Sequence, residues 1–330
     1  MSGSDRSVRR ILVTGGSGFI GTHLVEALRS PSATVLNLDL SPPRQADHQD
    51  LWRRTDLHDS ADLANAIEEF DPEWVVHLAA RTDMAGATVE DYSANTVGTG
   101  NLLEVLRGVP TVRRVVLTST QFVCGPGVDP TTDTTWAPHT VYGASKVEME
   151  KLIRATEWPF VWTIIRPTNI WGPEHPRYPS EFWRVLYQRR YLHPGRQPVI
   201  RSYGYVGNVV QQVLSILNLP AETVNQKVFY VGDPPIVLLD WVREFSKAIA
   251  GTEPRIVPRF VIRTLGLLGD VLSVAGIKFP ITSSRYTSMT QDYPTPMEES
   301  LAVLGRGPTD LPEGVRLTVD WLRERRGWDV

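Results

Sequence analysis

VTGGSGFIGTHL (residues 13–24) places Gly15, Gly18 and Gly21 directly after a β-branched run and at the start of an amphipathic one. Glycine permits the tight turn, lets the backbone approach a pyrophosphate, and allows a helix to pack closely on a strand. The N-terminus of the helix that follows faces the bound anion. The stretch therefore predicts a dinucleotide-binding strand–loop–helix unit.

An acidic residue ends the second predicted strand. ATVLNLD (33–39) is a β-branched run that finishes on Asp39. A carboxylate at this place accepts hydrogen bonds from the hydroxyls of an adenosine ribose, and it repels a 2′-phosphate. Asp39 therefore favours NAD over NADP.

Short β-branched runs alternate with longer stretches of helical period up to about residue 170. This alternation predicts a parallel sheet covered by helices on both faces. The stretches 206–217 and 227–232 indicate one further helix and strand that return to the sheet. The predicted fold class is α/β, a doubly wound parallel sheet of Rossmann type with a smaller, irregular C-terminal lobe.

Proline divides the chain after this regular part. Prolines at 173, 176, 179, 194 and 198 break the alternation, and such punctuation marks loops or an irregular lobe. Ligands of open α/β sheets bind at the carboxyl ends of the strands, where a second lobe can supply the substrate side. We predict an NAD-binding domain over 1–171 plus about 204–232, and a substrate lobe over about 172–203 plus 233–330.

The charge balance argues against polyanionic partners. The chain has 330 residues, of which 34 are basic and 37 acidic, and its net charge is −3. It therefore has no overall field that attracts nucleic acid or anionic lipid. We expect a small-molecule substrate, with no nucleic acid and no membrane as partners.

Three further features bear on the compartment. The single cysteine, Cys124, excludes an internal disulfide and a thiolate-rich metal site, so we expect no metal and a reducing, cytoplasmic location. The polar start, MSGSDRSVRR (1–10), has no apolar region of the kind that directs secretion. The apolar stretch 260–279 is interrupted by Arg263, Asp270 and Lys278, so we interpret it as an amphipathic helix that packs on the protein.

TVYGASKVEMEKL (140–152) places Tyr142 and Lys146 on one face of a predicted helix, one turn apart. A phenol has a pKa of about 10 in water and is a poor base unless a nearby cation favours its anion. Lys146 can supply that cation. A positioned phenolate can accept the proton of a substrate hydroxyl while a hydride leaves the same carbon. The spacing alone is common, so its significance comes from its occurrence together with the glycine loop.

The chain resembles the extended short-chain dehydrogenase/reductase family, and within it the NAD-dependent nucleotide-sugar epimerases and dehydratases. The motifs are TGGSGFIG (14–21), Asp39, TDL (55–57), HLAA (77–80), TST (118–120), YGASK (142–146) and RPTNIWGP (166–173). The resemblance implies that Tyr142 is the catalytic acid/base. It implies that Lys146 lowers the pKa of Tyr142 and binds the nicotinamide ribose, and that Thr120 hydrogen-bonds the reacting oxygen.

The same resemblance assigns residues to the NAD site. The three glycines would meet the pyrophosphate, Asp39 the adenosine ribose, and Asp56 the adenine. His77 is interpreted as structural. The remaining cofactor assignments are Phe19, Ile20, Leu57, Leu78, Ala79, Ala80, Asn95, Tyr142, Lys146 and Pro167, of which Asn95 occupies the place of a structural asparagine.

Substrate residues are also implied by the resemblance. Asn169 and Arg201 match residues near the nucleotide diphosphate, and a guanidinium binds phosphate oxygens in bidentate fashion. Arg285 is a candidate second contact to the phosphate or nucleoside, and Arg81 a candidate contact to the sugar. The chain departs from the family where an aspartate is common, because Asn208 stands there, and where tyrosine is common, because Cys124 stands there; we assign Cys124 no catalytic role.

Gln121 and Phe122 limit the reaction that the resemblance allows. Dehydratases of the family carry an aspartate–glutamate pair after the threonine, and decarboxylating members carry a glutamate in the place of Phe122. Neither Gln121 nor Phe122 can move a proton at neutral pH. Oxidation and re-reduction of a secondary alcohol remain, which favours a 4-epimerase working through a transient 4-keto sugar.

Several alternatives stay open. The chain could be a net oxidoreductase on a nucleotide sugar, a dehydratase or decarboxylase with relocated acids, or an NAD-binding scaffold without catalysis. The sequence does not name the nucleotide, the sugar or the pathway. By resemblance we expect a homodimer that pairs through the helices containing 96–107 and 141–156.

Overall fold

The structure is a computed structural model that describes residues 8–274, 276–277 and 279–330. The first seven residues of the predicted polar start, and Lys278, therefore lie outside the described residues. In the described part of the chain the strands are β1 (Arg9–Thr14), β2 (Ala33–Asp39), β3 (Trp52–Arg54), β4 (Trp74–His77), β5 (Arg114–Thr118), β6 (Val161–Pro167), β7 (Asn169–Trp171), β8 (Leu192–Pro194), β9 (Ile200–Arg201), β10 (Tyr203–Tyr205), β11 (Lys227–Val231), β12 (Ile236–Val237) and β13 (Arg255–Val257).

Several of the helices begin at a residue whose side chain caps the first turn. Thr140 accepts a hydrogen bond from the backbone N–H of Gly143 at 2.9 Å at the start of one, and Asp310 caps another in the same way. The helices are α1 (Phe19–Leu28), α2 (Ser60–Phe70), α3 (Thr99–Arg107), α4 (Val141–Arg154), α5 (Phe182–Tyr187), α6 (Val206–Asn218), α7 (Ala221–Val224), α8 (Leu238–Ala250), α9 (Arg259–Val274), α10 (Ser283–Thr290), α11 (Glu298–Leu304) and α12 (Leu311–Arg326).

A seven-stranded sheet in the order β11-β6-β5-β4-β1-β2-β3 forms the centre of the first half of the chain. All its strand pairs are parallel. The chain order reverses between β1 and β4, and ligands of such sheets bind at this reversal. The predicted doubly wound sheet is confirmed, and so is the return of α6 and β11 to it.

Helices cover both faces of this sheet. Successive right-handed crossovers place α1 on one face and α2, α3 and α4 on the other, because the chain reverses direction after β3. A buried apolar cluster joins α2, α3 and α4 to the strands, while α1 packs against α6. The strand residues of the cluster are Leu12, Leu38, Val75, Val115, Leu117, Trp162 and Ile164, all buried. The cluster therefore packs α2, α3 and α4 firmly against the strands whose carboxyl ends carry the predicted site.

The chain divides into two compact units. The first comprises the chain up to Thr168, Val206–Val231 and Pro296–Gly307; the second comprises Asn169–Tyr205, Gly232–Thr295 and Pro308–Val330. The segment Pro296–Gly307 departs from the sequence-based division, which assigned it to the substrate lobe. The physical reason is that α11 packs on α6 and β11, and a Cβ at Gly307 would lie 2.0 Å from the Asn208 side chain.

The second unit is irregular, as predicted. Its strands form three two-stranded sheets, β10-β7, β12-β9 and β13-β8. An aromatic cluster lies within it, in which Trp241 stacks on Tyr203 with ring centroids 4.3 Å apart and Trp171 contacts Phe245 edge-on at 5.2 Å. Aromatic packing of this kind supplies the burial that a regular sheet provides in the first unit.

The predicted amphipathic helix is α9, but its orientation differs from the prediction. The side chains buried on α9 are Ile262, Gly266 and Gly269, whereas Val271 and Val274 are 68% and 92% exposed. The interpretation that the apolar side chains of this stretch pack on the protein is therefore wrong for most of them. Every helix among the described residues is too short or too polar to span a bilayer.

Candidate active site

The glycine loop runs from the end of β1 to the start of α1. Gly15 has a φ of +75°, and a Cβ on it would lie 2.4 Å from the backbone nitrogen of Ala79. A Cβ on Gly21 would lie 2.2 Å from the carbonyl oxygen of Gly15. Only glycine fits at these two positions, because backbone passes directly over backbone. The loop is thus a cradle of the kind that a pyrophosphate needs.

Asp39 lies at the edge of this cradle. Its carboxylate accepts hydrogen bonds from the backbone N–H of Ser17 at 3.1 Å and of Ser41 at 2.9 Å. Arg44 donates to the carbonyl oxygen of Ser17 at 3.1 Å, so a cation also lies near the loop. The loop and the strand-end acid together fit the pyrophosphate and ribose of NAD.

The other predicted cofactor residues lie along the same edge of the first unit. Asp56 turns its carboxylate onto His58, accepting from the backbone N–H and the ring, each at 2.9 Å. These hydrogen bonds, the backbone one first, hold the pKa of Asp56 below its ordinary value. Phe19, Ile20, Leu78, Ala79 and Ala80 are half-buried, whereas Leu57 and Pro167 are buried.

Asn95 is completely buried in the π-helical turn before α3. Its amide nitrogen donates to the carbonyl oxygen of Arg81 at 3.0 Å and to the Ser145 hydroxyl at 3.0 Å. Its oxygen accepts from the backbone N–H of Arg81 at 2.9 Å. Because both amide protons are used within the protein, Asn95 ties the loop after β4 to α4 and has no donor left for a cofactor.

The three predicted catalytic residues come together at the end of β5 and on α4. The Thr120 side chain lies near enough to the Tyr142 phenol to act on its pKa as a hydrogen-bond partner. Lys146 donates to the carbonyl oxygen of Thr118 at 2.7 Å. The side chains of all three are buried. The helix approaches the strand end this closely because residue 143 is glycine: a Cβ there would lie 2.3 Å from the carbonyl oxygen of Phe122.

Burial shifts the pKa of both members of the tyrosine–lysine pair. It raises the pKa of Tyr142 to about 12, although the hydrogen bond with Thr120 acts in the opposite direction. It lowers the pKa of Lys146 to about 7, with Glu150 partly opposing the change. The sequence predicts that Lys146 lowers the pKa of the phenol. In the chain by itself burial is the largest cause of both shifts, because both charged forms lose their hydration.

Phe122 packs beside the catalytic pair. Its ring lies 6.3 Å from the ring of Tyr142 and 5.5 Å from that of His139, edge-on in both cases. The position that decides between reaction types in the resemblance is thus an apolar wall against the phenol. His139 was not predicted from the sequence as a site residue. It is a titratable side chain that contacts the same phenylalanine ring.

His77 is a structural residue, as predicted. It is completely buried, and its ring bridges the hydroxyls of Thr14 at 2.6 Å and Thr99 at 2.9 Å. Thr99 donates its own proton to the carbonyl oxygen of Asn95, so it accepts from Nε2–H, and Nδ1 accepts from Thr14. Burial lowers the pKa of His77 to about 3, which keeps the ring neutral.

A buried ion pair joins α4 to β6. It was not predicted from the sequence. Arg166 binds both carboxylate oxygens of Glu150, at 2.6 and 2.9 Å. Ser119 and Trp136 donate to the same carboxylate at 2.6 and 3.0 Å. Glu150 stands one helical turn beyond Lys146, and Arg166 lies within an otherwise apolar strand. That strand arginine was the available signal, because a buried guanidinium requires a carboxylate partner.

The Arg81 guanidinium makes its contacts within the segment between β4 and α3. Its guanidinium binds Asp83 at 2.8 Å and the carbonyl oxygen of Asp91 at 2.7 Å. It also lies over the ring of Tyr92, 5.1 Å from its centroid. Arg81 therefore fixes the loop after β4, and the predicted sugar contact has no support from its geometry.

The predicted substrate residues Asn169 and Arg201 lie close together in the second unit. Asn169 donates to the carbonyl oxygen of Ser202 at 3.1 Å, and Arg201 precedes that serine. The Arg201 guanidinium lies over the ring of Tyr293, and its buried Nε has no hydrogen-bond partner among the described residues. Arg285 has other partners: it donates to the Pro280 carbonyl oxygen at 3.0 Å and pairs with Glu181.

Comparison with known proteins agrees with this geometry. The model of the NAD dependent epimerase/dehydratase family matches residues 11–232. The N-acetyl-α-D-glucosaminyl-diphospho-ditrans,octacis-undecaprenol 4-epimerase of Escherichia coli is 28% identical over 94% of each chain. A 3-β-hydroxysteroid dehydrogenase of Mycolicibacterium neoaurum is 29% identical over 75% of this chain and 72% of its own.

Solved structures share the fold over nearly the whole chain. UDP-glucose 4-epimerase of Thermotoga maritima superposes with a TM-score of 0.73 at 22% identity, covering 96% of this chain and 99% of its own. The Thermus thermophilus UDP-glucose 4-epimerase, solved with NAD, gives a TM-score of 0.68 at 26% identity over 96% and 99%. With the glycine cradle, Asp39 and the tyrosine–lysine pair in place, the chain belongs to the NAD-dependent epimerase/dehydratase family, within the extended short-chain dehydrogenase/reductases.

Proposed function

We propose that this protein is an NAD-dependent 4-epimerase of a nucleotide sugar. The observation that carries the proposal is the buried set of Thr120, Tyr142 and Lys146 with the apolar ring of Phe122 against the phenol. This set can exchange the proton of one alcohol. It offers no second acid or base at the position that other branches of the resemblance use.

Each of the three buried residues has one role in the proposed reaction. The Tyr142 oxygen would accept the proton of the C4 hydroxyl as the hydride leaves C4. It would return that proton to the same oxygen when the hydride comes back to C4 from the opposite face of the 4-keto sugar. Thr120 donates a hydrogen bond to the reacting oxygen, where charge develops. Protonated Lys146 favours the phenolate electrostatically.

The cofactor residues are those that line the edge of the first unit. Gly15, Gly18 and Gly21 would hold the pyrophosphate and Asp39 the adenosine ribose. When bound, NAD supplies the hydride acceptor, and the positive charge of its oxidised ring favours ionisation of groups beside it. We infer that this charge is what opposes the effect of burial on Tyr142.

Asn169 and Arg201 are proposed to bind the diphosphate of the substrate. The buried Arg201 Nε that lacks a partner among the described residues supports this role, since an anion would satisfy it. Arg81 and Arg285 are weaker candidates, because the hydrogen bonds described above already engage both guanidinium groups.

A panel of UDP-, dTDP-, GDP- and CDP-sugars, incubated with the purified protein without added cofactor, tests the reaction. Formation of the C4 stereoisomer with no net NADH is the expected result. Stoichiometric NADH would indicate a net oxidoreductase instead. Loss of water from the sugar would indicate a dehydratase, and the 4-epimerase proposal would then be abandoned.

Two of the similar proteins favour particular alternatives. The likeness to a 3-β-hydroxysteroid dehydrogenase supports net oxidation of a secondary alcohol as the second candidate function. The E. coli relative is named for a sugar whose diphosphate is attached to a polyprenol rather than to a nucleoside. A polyprenyl-diphosphate sugar therefore belongs in the panel, presented in detergent micelles.

We also propose a cytoplasmic homodimer. The buried Cys124 thiol suits a reducing compartment. Val97, in the turn before α3, and Leu152, on α4, are apolar and 54% and 38% exposed, which supports pairing through these helices. Sedimentation of the Val97→Glu variant checks this: the dimer should weaken, and an unchanged dimer would contradict the assigned surface.

A further inference from the structure

The most exposed apolar surface of the described chain lies on α9 and the residues that follow it. We call it the α9 face. Phe260 is 70% exposed, Val271 68% and Val274 92%. The complete α9 face consists of Phe260, Leu267, Leu268, Val271, Val274 and Ile277, all exposed.

The exposed side chains share one side of the helix. Phe260, Leu267, Val271 and Val274 are spaced seven, four and three residues apart, which places them in a narrow stripe of an α-helix. Large apolar side chains are normally placed toward the protein in a surface helix. On α9 they point away from it.

Ile262 and two glycines, Gly266 and Gly269, form the opposite, inward side of α9. A Cβ on Gly269 would lie 1.9 Å from the carbonyl oxygen of Ile281, and one on Gly266 would lie 3.2 Å from the backbone nitrogen of Ser283. The helix therefore packs on the segment leading into α10 through backbone contact. This side is fitted to the protein, so the helix cannot simply rotate to bury its large apolar side chains.

Basic residues flank the α9 face. Among the described residues from 255 to 277, the sequence has Arg255, Arg259 and Arg263 against one acid, Asp270. The carboxylate of Asp270 accepts a hydrogen bond from the backbone N–H of Ser283 at 3.1 Å, so it is turned toward the protein. This local positive charge contrasts with the net charge of −3 of the whole chain.

We propose that the α9 face docks on an anionic membrane surface, with α9 lying in the plane of the interface. An amphipathic helix with apolar side chains on one side and arginines beside them is the chemistry that inserts at the boundary between headgroups and acyl chains. The apolar stripe supplies burial, and Arg263 beside it supplies attraction to anionic lipid. A surface-lying helix does not need the length of a spanning one.

A second copy of the chain is the less favoured occupant. A two-fold interface brings the same patch of both protomers together, so the arginines beside the stripe would face their own copies. Like charges placed together disfavour such an interface. An anionic bilayer has the complementary charge. The proposal does not depend on the epimerase activity, although it would suit a substrate attached to a lipid.

Flotation of the full-length protein with vesicles tests the docking surface. We expect the protein to bind vesicles of phosphatidylcholine with phosphatidylglycerol, and to bind pure phosphatidylcholine at least tenfold less. The double variant Leu267→Ser, Val271→Ser should lose the binding, because both side chains belong to the stripe. The control is Val128→Ser, an apolar residue that is 40% exposed in a loop of the first unit, and it should bind like the wild type.

The outcomes separate this proposal from its rivals. Both α9 positions are exposed, so the double variant should keep the melting temperature and nucleotide-sugar turnover of the wild type. A wild-type protein that does not bind anionic vesicles would overturn the proposal. So would a double variant that still binds them, or one that changes only the sedimentation of the protein and thereby identifies the α9 face as a contact between copies.

Discussion

α4 and α9 both pack closely on neighbouring backbone at a glycine. Apolar side chains are ordinarily buried and charged ones exposed, but α4 buries polar side chains and α9 exposes apolar ones. α4 approaches the turn after β5 at Gly143, beside Phe122, and it buries the side chains of Tyr142, Lys146 and Glu150. α9 approaches its neighbour at Gly269 and exposes Val271 and Val274. Polar groups inside and apolar groups outside both cost free energy when they have no partner.

The comparison indicates that each helix is built for something other than stability. Natural sequences are locally consistent except at sites where function requires otherwise. On α4 the exceptions surround a reaction that needs charge in a dry place. On α9 they form a face that lacks an apolar cover among the described residues. The predictions below test how far this contrast holds, beginning with the largest effect.

Removal of the buried cation is expected to have the largest effect. Lys146→Met keeps the length of the side chain and removes the charge beside Tyr142, so turnover should fall by about 10²–10⁴-fold, the usual range for a positioned acid–base group. The matched control is Lys151→Met on the same helix, because Lys151 is half exposed and pairs with Glu148. A Lys146 variant within about threefold of the wild type, at saturating NAD, would contradict the role of the pair.

The second effect concerns folding. Glu150→Gln leaves the Arg166 guanidinium buried without its carboxylate, and breaking a buried ion pair costs about 3–5 kcal/mol in the free energy of unfolding. Glu148→Gln is the control, since its pair with Lys151 is exposed and contributes about 0–1 kcal/mol. Urea denaturation measures both. Equal losses in the two variants would mean that burial does not distinguish these carboxylates.

A smaller effect comes from a buried polar group that has no part in the reaction. The pKa of His77 is lowered from 6.5 to about 3, so the unfolded chain binds a proton that the folded chain refuses. The neutral ring of His77 therefore costs no stability above pH 6.5, and the folded state loses stability as the pH falls from 6.5 toward 3. One pH unit below 6.5 this loss is about 1.4 kcal/mol in the free energy of unfolding.

The stability of His77→Gln should accordingly depend less on pH than that of the wild type in this window. The control is Gln211→Ala on α6, an exposed position without a titratable group, which should keep the wild-type slope. If the His77 variant kept that slope as well, the acid sensitivity would have another source.

The sequence was sufficient for the first unit because its signals are local. A glycine loop between a strand and a helix fixes the dinucleotide cradle, and the helical spacing of Tyr142 and Lys146 puts them on one face. The parallel, doubly wound sheet followed from the alternation of strands and helices. The depth of burial of Tyr142 did not follow, because it depends on Phe122 and Tyr92, whose rings pack on it at 6.3 and 6.0 Å.

The second unit was less predictable for a related reason. The period of α9 defines two faces, but which one is buried depends on the backbone of 279–283, which no local pattern reveals. Arg285 in the second unit, and also Arg81 in the first, were assigned to the substrate from their positions beside motifs. Their acidic and carbonyl partners, Asp83 and Pro280, are set by loop geometry that appears only in three dimensions.

The central claim is that the buried phenol on α4 exchanges the proton of the substrate alcohol. Tyr142→Phe tests it most directly, because the change removes one oxygen atom and keeps the ring that packs on Phe122. The account predicts that the purified variant binds NAD as the wild type does, measured by calorimetry, and that single-turnover epimerisation falls by at least about 10²-fold. Epimerisation at the wild-type rate with NAD bound would contradict it.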